Sequence, residues 1–231
     1  MAGSDLEARL TALEKENRIL EKRLARSEEN RVLLEESLSS HLSVLKIRNA
    51  ELLEYQEKIR RSEARYRELA HYDSLTGLPN RVLFRDQLTR AIFRAKREEC
   101  SMALLFIDLD RFKAVNDDAG HDAGDSVLRD TAKRLLACIR GGDIACRIGG
   151  DEFIVLLDCL PDRQVAINIA ERILTELDKP FVFEAVEFVI GASIGISLFP
   201  FDGEDMETLM KKADRAMYGV KQNGCNGWRF F

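Results

Sequence analysis

A long row of leucines in the first seventy residues constrains the fold more than any other feature of this sequence. Positions spaced alternately four and three residues apart, starting at Leu6 and Leu10, form a seam in which thirteen of nineteen residues are apolar. The same segment has no proline, no glycine after Gly3, and many Leu, Glu, Arg and Lys residues. This pattern predicts one continuous helix with a narrow apolar stripe.

Such a stripe cannot be buried by the helix that carries it, so the helix needs a partner, and a parallel homodimeric coiled coil is the simplest one. The alternative is a single helix packed along a globular domain, but its length, on the order of 95 Å, argues against this. Asn17 can set the register of a dimer, whereas four polar residues weaken the middle of the seam. These are Ser27, Arg31, His41 and Arg48. We predict residues 1–70 as a dimerisation and signalling helix and residues 71–231 as a separate domain.

Composition and charge exclude several classes of function. The net charge of −5 leaves no basic surplus to release phosphate counterions, which disfavours a bulk nucleic-acid binder. The longest uncharged apolar run, Phe188 to Phe201, is shorter than the roughly 20 residues of a spanning helix, so no membrane segment is predicted. The five cysteines are scattered without a CxxC pair, which disfavours a disulfide framework or a zinc site and is typical of a cytoplasmic protein.

After residue 70, short apolar runs alternate with turns and helical patterns. Ser101 to Asp110 predicts a buried strand, and the runs "DIACRI" and "FIVLLD" predict the two strands of a hairpin. Helices are predicted over Gly124 to Arg140, Asp162 to Leu177 and Met206 to Lys221, with further strands in residues 181–199 and in the final "GWRFF". The expected fold is therefore α+β, with a mixed sheet flanked by helices and the hairpin at its centre.

The hairpin turn "GGDE" combines bare backbone with paired negative charge. A buried strand that ends in Asp108 and a turn that carries Asp151 and Glu152 can lie side by side in one sheet. Hard cations such as Mg²⁺ prefer carboxylate oxygens together with substrate phosphates, and Gly149 and Gly150 let a triphosphate approach the backbone closely. The pattern favours phosphoryl transfer assisted by two metal ions. A solvated polar hairpin tip is the alternative that this motif alone leaves open.

Several separated motifs closely resemble those of the GGDEF-domain diguanylate cyclases, over roughly residues 72–231. The motifs are "DSLTGLPNR" (73–81), "FIDLDRFKAVND" (106–117), "GHDAGD" (120–125), "RIGGDEF" (147–153), "GASIGIS" (191–197) and "ADRAMYGVKQNG" (213–224). The resemblance implies a fold similar to nucleotidyl cyclase and polymerase palm domains. It also implies that two GTP molecules condense into cyclic di-GMP, each 3′-hydroxyl attacking the other's α-phosphate, with release of two pyrophosphates.

The resemblance assigns metal ligands to the same strand and turn. Asp108 and Asp151 correspond to side-chain ligands, and the Leu109 carbonyl is expected to help. Glu152 is expected to bind metal or to take the proton of the attacking hydroxyl, and the sequence leaves open which carboxylate does so. Two Mg²⁺ ions, or Mn²⁺, are implied for each GTP site.

The resemblance also implies residues that bind the nucleotide. Asn116 and Asp125 correspond to guanine readers, since a carboxylate can accept from N1–H and N2–H of guanine and an amide can serve its other polar edges. Lys113 and Lys221 correspond to phosphate partners, and His121 is expected near the base or in a structural role in this loop. Without the resemblance, Asn116 would be an ordinary turn residue, Asp125 a helix cap, and both lysines solvated surface residues.

A second motif, "RGGD", precedes the hairpin. Arg140 and Asp143 match the RxxD product-inhibition motif of the family, in which arginine binds a phosphate or a guanine Hoogsteen edge and aspartate binds a guanine Watson–Crick edge. At this spacing we favour an inhibitory site for cyclic di-GMP. The alternative is a plain helix-to-strand turn in which two glycines end the helix.

One position departs from the family pattern. Many members carry an arginine where this chain has Cys225, and a cysteine cannot supply a cation to a triphosphate. The departure implies lower nucleotide affinity unless another residue compensates. It slightly favours a second candidate function, a catalytically weak domain that acts as a GTP or cyclic di-GMP receptor, whereas the intact "GGDE" turn favours the cyclase.

Overall fold

The structure is a computed structural model that describes residues 2–231. The side chains of residues 2–8, 63, 64, 67 and 68 are outside the description, and Leu6, the first residue of the predicted seam, is among them. The chain divides into two compact units, Met1–Ala64 and Arg65–Phe231. Each unit is described by itself.

The first unit is helical, as the sequence predicts. It lies within helix α1, Ala2–His71. Leu34 is 74% exposed and Leu10 is 60% exposed, and the described side chains between residues 9 and 62 are all exposed except that of Glu57. Within the described part of the chain, no helix has both the length and the apolar character needed to cross a bilayer.

The second unit is an α+β domain, which confirms the predicted class. Its helices are α2 (Arg81–Glu98), α3 (Phe112–Ala137), α4 (Arg163–Leu177) and α5 (Met206–Gln222). Its strands are β1 (Ser101–Leu109), β2 (Ile144–Gly149), β3 (Glu152–Leu160), β4 (Phe181–Phe183), β5 (Val186–Phe188), β6 (Ala192–Phe199) and β7 (Gly227–Phe230). The main sheet has the order β2-β3-β1-β6-β7, and β4 and β5 form a separate hairpin. The main sheet is mixed because β7 runs parallel to β6 while the other pairs are antiparallel.

The β2–β3 hairpin forms one side of the main sheet, and β1 takes the central position. This corrects the sequence prediction, which puts the hairpin at the centre. The physical reason lies in burial, since every residue of β1 after Ser101 is buried, whereas β2 has exposed and half-buried residues at its ends. A strand that is apolar on both faces is best placed where both of its edges are paired and both faces are covered.

The alternation of β1 side chains decides which residues share a face with α5. Ala103, Leu105 and Ile107 join one core cluster, which also contains residues of α3 and α4. The intervening residues Leu104 and Phe106 join a second cluster with residues of α2 and α5. Since side chains alternate along a strand, the next position of the second set, Asp108, points to the face that α5 covers.

Helix α5 packs very closely on β6. A Cβ built on Gly195 would lie 2.0 Å from the Ala213 carbonyl oxygen and 2.1 Å from the Met217 backbone nitrogen. No side chain fits there, so this glycine in "GASIGIS" permits the approach. The contact fixes the height of α5 above the sheet, and with it the position of Lys221 in its last turn.

Two helical segments were not predicted. Helix α2 buries Phe84, Leu88, Ala91, Ile92 and Ala95, a spacing that has helical periodicity and could have been recognised. The first part of α3 was expected to be a loop because of its aspartates and glycines. It is helical up to a break at Gly120, which has φ 82°, and the burial of Phe112 and Val115 outweighs the poor helix propensity of this stretch.

Candidate active site

Three carboxylates converge where β1 ends and the hairpin turns. Asp108 of β1 is paired directly with Glu152 of β3, so their side chains lie on one face with Cβ atoms about 5 Å apart. The backbone N–H of Leu109 donates to the Asp151 carbonyl oxygen at 3.4 Å, which holds the turn against the end of β1. The structure therefore brings together the residues that the sequence predicts as metal ligands.

Lys221 reaches this cluster from α5. Its Nζ lies 2.7 Å from Oδ1 of Asp108, and the Asp108 side chain is only 10% exposed. Sequence reasoning assigned Lys221 to the phosphates and Asp108 to a metal ion, and here the two residues are joined in an ion pair. Lys221 is thus a cation held in the carboxylate cluster, within reach of any anionic group bound there.

The charges around the cluster shift several pKa values. Burial raises the pKa of Asp108, the charges of Asp151 and Asp110 add to this, and the Lys221 hydrogen bond offsets only part of it. Burial lowers the pKa of Lys221, but the hydrogen bond that Lys221 donates to Asp108 and the charges of the nearby carboxylates outweigh it, so the net shift is upward. The pKa values of both partners are raised, each for its own reason. Asp108 is desolvated among other carboxylates, which disfavours its charged form, and the same carboxylates favour the protonated, charged form of the lysine.

Glu152 shares this environment. Burial is the largest cause of its raised pKa, and the charges of Asp108, Asp151 and Asp214 raise the pKa further. Closely spaced carboxylates repel one another, and a divalent cation bound between them would relieve that repulsion. The donor set of Asp108, Asp151 and Glu152, all oxygen ligands beside an open turn, fits Mg²⁺ or Mn²⁺.

Asp110 has a different role from its neighbour Asp108. Its Oδ1 accepts from the Ser193 hydroxyl at 2.7 Å, and its Oδ2 accepts from the Asn226 backbone N–H at 2.8 Å. Both oxygens of this buried carboxylate are therefore engaged, Oδ1 with strand β6 and Oδ2 with the loop after α5, which it holds against the sheet. The arrangement favours a structural function for Asp110.

The Gly149–Gly150 turn leaves its outer side open. Gly150 has φ +55°, which an L side chain rarely adopts, and a Cβ built on either glycine would meet no atom within 4 Å. The backbone of both glycines is exposed here. Such a surface allows a polyphosphate to approach main-chain N–H groups.

Arg147 and Asp73 hold this turn from behind, and sequence reasoning did not single them out. The Arg147 guanidinium donates to the Gly150 carbonyl oxygen at 2.7 and 3.0 Å and to the two Asp73 carboxylate oxygens at 3.0 and 3.1 Å. Burial alone would raise the pKa of Asp73, but hydrogen bonds from Thr76 and the Arg147 pair leave it below its ordinary value. Their positions in the motifs "DSLTGLPNR" and "RIGGDEF" were the signal that could have found them.

The two predicted guanine readers lie near each other on α3. A Cβ built on Gly124 would lie 2.0 Å from Asn116 Oδ1, so the Asn116 amide covers the backbone next to Asp125. Asp125 is half-buried and lies 3.7 Å from an Arg129 guanidinium nitrogen. The break at Gly120 brings the two residues together although they are nine positions apart. Lys113 and His121, also on α3, are exposed.

The predicted inhibitory pair is linked to the end of β3. Asp143 has a buried carboxylate that accepts from the backbone N–H groups of Arg140 and Asp158, each at 3.2 Å. The Arg140 guanidinium donates to Asp143 at 3.4 Å, to the Asp158 carbonyl oxygen at 2.6 Å and to the Cys159 carbonyl oxygen at 3.3 Å. Arg140 and Asp143 border a cavity of about 260 Å³ that Asn168 and Arg172 also line.

Comparison with known proteins agrees with this geometry. The family profile described as "Diguanylate cyclase, GGDEF domain" matches residues 70–227. The bifunctional diguanylate cyclase and cyclic di-GMP phosphodiesterase MucR of Pseudomonas aeruginosa is 44% identical over 164 residues, which cover 71% of this chain and 24% of MucR. The diguanylate cyclase TpbB of the same species is 39% identical over 173 residues, covering 74% of this chain and 40% of TpbB. This chain thus spans less than half the length of these curated relatives.

A solved structure extends the likeness beyond the domain. The coiled coil and GGDEF domain of DgcB from Caulobacter crescentus, in complex with c-di-GMP, has a TM-score of 0.72 and 29% identity, covering 81% of this chain and 99% of that one. Taken with the profile match and the carboxylates gathered at the "GGDE" turn, these findings show that the chain belongs to the GGDEF-domain diguanylate cyclase family.

Proposed function

We propose that this chain condenses two GTP molecules into cyclic di-GMP with release of two pyrophosphates. The observation that carries the proposal is the convergence of Asp108, Asp151 and Glu152 beside the open Gly149–Gly150 turn. Oxygen ligands together with backbone open to a triphosphate are what phosphoryl transfer requires of a protein, since positioning and charge neutralisation supply most of the catalysis.

The carboxylates of Asp108 and Asp151, with the Leu109 carbonyl, would hold two Mg²⁺ or Mn²⁺ ions in each site. When bound, these ions neutralise charge on the phosphates and on the attacking and leaving oxygens. Glu152 either completes the metal site or takes the proton of the 3′-hydroxyl. Lys221, which now pairs with Asp108, would share its charge with the phosphates, and Lys113 would add a second cation.

Guanine would be read on α3. The Asp125 carboxylate is suited to accept from N1–H and N2–H, and the adjacent Asn116 amide can both donate and accept along the same base. The close approach of Asn116 to the backbone of Gly124 supports this, because Gly124 directly precedes Asp125 in the chain. His121, exposed on the same helix, would border the base.

The reaction needs two nucleotides, and one domain is proposed to bind one, so two copies of the chain must cooperate. The exposed leucine row of α1 supports a parallel homodimer, since burying one leucine side chain stabilises by roughly 2 kcal/mol. Linking two domains in this way raises the effective concentration of each at the other.

Product inhibition is proposed at Arg140 and Asp143. The exposed Arg140 guanidinium beside a cavity supports binding of a phosphate or a guanine Hoogsteen edge. Arg140→Ala should relieve inhibition by added cyclic di-GMP. Inhibition curves that coincide for wild type and variant would contradict this assignment.

A second candidate is a weakly catalytic receptor for GTP or cyclic di-GMP. Cys225 is the observation that favours it, because this exposed thiol stands on the loop that Asp110 anchors, where many family members supply a cation.

The deciding experiment incubates the protein with GTP and Mg²⁺ and separates the products by chromatography, with equilibrium binding of both nucleotides measured in parallel. Cyclic di-GMP and pyrophosphate appearing in a one-to-two ratio are the expected result. Nucleotide binding without any cyclic di-GMP would overturn the cyclase and leave the receptor.

A further inference from the structure

We propose that Cys100, Cys159 and Glu98, with a carboxylate oxygen of Asp158, form a binding site for a thiophilic divalent cation such as Zn²⁺. The site lies at the opposite end of β1 from Asp108, since Cys100 immediately precedes the strand. The scattered cysteines of the sequence indicate no such site, because the two that matter are 59 positions apart and only the fold brings them together.

The ligand atoms already lie close enough for one ion. The Sγ atoms of Cys100 and Cys159 and a carboxylate oxygen of Glu98 are all within 4.8 Å of one another. Two sulfur ligands about 2.3 Å from a tetrahedral zinc lie roughly 3.8 Å apart. The remaining adjustment is about 1 Å and needs only side-chain rotation, since Cys159 and Glu98 are exposed.

An irregularity in the sheet aims Cys159 at the site. Ser101 pairs with Leu160 and Ala103 pairs with Leu157, so two residues of β3, Asp158 and Cys159, oppose one residue of β1. This is a β-bulge, a feature that commonly redirects a side chain. Cys159 itself has φ 46°, a conformation that costs a cysteine about 1 kcal/mol or more and is held only by the surrounding structure.

Asp158 supplies the second, independent observation. It is 9% exposed, its Oδ2 lies 2.6 Å from an Arg94 guanidinium nitrogen, and its Oδ1 is buried without a hydrogen-bond partner among the described atoms. Its ion pair with Arg94 joins it to α2, and Cys100 packs against the core cluster that contains residues of α2. A buried oxygen without a partner costs free energy. The charge of Asp158 acts on Cys100, so a cation bound at the two thiols would offset that charge, although Asp158 is outside the group of ligand atoms that lie within 4.8 Å of one another.

The surroundings favour a cation over a free thiolate. Burial raises the pKa of Cys100 to about 11, with Cys159, Asp158 and Glu98 adding to the shift, so the Cys100 thiol is not prepared to act as a nucleophile. A bound metal ion would reverse the preference for the protonated thiol, because a thiol that coordinates a metal ion is deprotonated outright. Arg97 is a nearby competing cation, 2.8 Å from Glu98, and an ion pair so exposed is weak.

Occupancy would join three elements: the end of α2 at Glu98, the start of β1 at Cys100 and the bulge of β3 at Cys159. It would also stiffen the strand end whose carbonyl groups, those of Asp158 and Cys159, accept from Arg140. The site itself does not depend on the proposed cyclase activity.

The test uses the full chain, freed of metal and kept under a non-thiol reductant, with Mg²⁺ in excess to occupy the carboxylates of the active site. Co²⁺ replaces Zn²⁺ as a spectroscopic probe, because cobalt bound to thiolates gives a charge-transfer absorption. We expect one equivalent of cobalt thiolate, displaced by Zn²⁺, and a rise in the unfolding temperature on Zn²⁺ binding.

Cys100→Ser and Cys159→Ser should each weaken Zn²⁺ binding at least tenfold and abolish the absorption, and Glu98→Gln and Asp158→Asn should weaken binding less. Cys225→Ser is the matched control and should leave both signals intact. Absorption that persists in Cys100→Ser, or that disappears in Cys225→Ser, would overturn the proposal. A Cys100–Cys159 disulfide, seen as the loss of two hydrogens in the intact mass under reductant, would also overturn it.

Discussion

The two units of this chain differ in whether their apolar residues are exposed or buried. In the first unit, leucines at helical spacing are exposed along the whole described length, as at Leu34 and Leu45. In the second unit, β1 buries nearly every side chain on two faces, and its core closes within one chain. The domain buries its hydrophobic surface within one chain, whereas the exposed leucines of the helix form a face that we propose a second copy covers. We therefore expect that each unit can be disabled while the other is left intact.

The largest expected effect comes from Glu152→Ala. Removing a carboxylate from the cluster should lower cyclic di-GMP formation by about a thousandfold, in the range of losses caused by removing one charge-stabilising group, while the unfolding temperature and the dimer are unchanged. Initial rates and light scattering measure both. Glu187→Ala, which removes an exposed carboxylate from β5, is the control and should match wild type. Turnover of Glu152→Ala within tenfold of wild type would contradict its assignment to the site.

A second variant is expected to disrupt the proposed dimerisation of the helix and to leave the domain folded. Leu34→Asp puts a charge into the seam and should dissociate the dimer at micromolar concentration, lowering the rate at least tenfold while the unfolding transition of the domain is retained. Leu33→Asp is the matched control, since Leu33 is also exposed but lies outside the seam. Equal dimerisation of the two variants, measured by light scattering across concentrations, would show that the leucine row is not the interface.

Deletions near Arg60 test whether the helix does more than tether. Removing one residue rotates the following helix by about 100°, whereas removing seven nearly restores its phase. We expect at least a tenfold loss of initial rate for the first and substantial retention for the second, in variants confirmed to be dimeric. A smooth decline with deletion length would indicate a tether without control of geometry.

Cys225→Arg should have a smaller effect, confined to the domain. A guanidinium beside the loop that Asp110 anchors can form charge-assisted bonds to phosphates, so the KM for GTP should fall about three- to tenfold with little change in kcat. Cys225→Ser, which adds no charge, serves as the control. An unchanged KM in Cys225→Arg would show that this position does not face the nucleotide.

The smallest effect concerns the support behind the turn. Asp73→Asn removes the ion pair with Arg147 and should cost about 1 kcal/mol of unfolding free energy near neutral pH, since both groups are partly solvated. Because the folded pKa of Asp73 is depressed, this contribution is present above its ordinary value and is lost as the pH falls through the folded pKa. The difference in unfolding free energy between wild type and variant should therefore become smaller below about pH 4. Asp86→Asn, which removes an exposed ion pair with Arg90, is the control. A difference in unfolding free energy between wild type and Asp73→Asn that does not change with pH would contradict the ion pair.

Some features of the fold could be predicted because they follow from the local spacing of apolar and polar residues. The long helix α1, the buried strand β1 and the turn at "GGDE" each follow from the spacing of apolar and charged residues, and the structure contains all three. Asp108, Asp151 and Glu152 were predicted to meet because they stand at the ends of adjacent strands.

Other features depended on contacts between residues far apart in sequence. Only the tertiary structure placed β1 at the centre, stabilised a helix before Gly120 and joined Asp73 to Arg147 across 74 positions. It also engaged both oxygens of Asp110 while leaving Asp108 to Lys221, and it brought Cys100 beside Cys159 through a bulge. The physical reason is that periodicity records which face a residue is on, whereas the pairing of strands and the height of helices above them are set by packing of the whole chain.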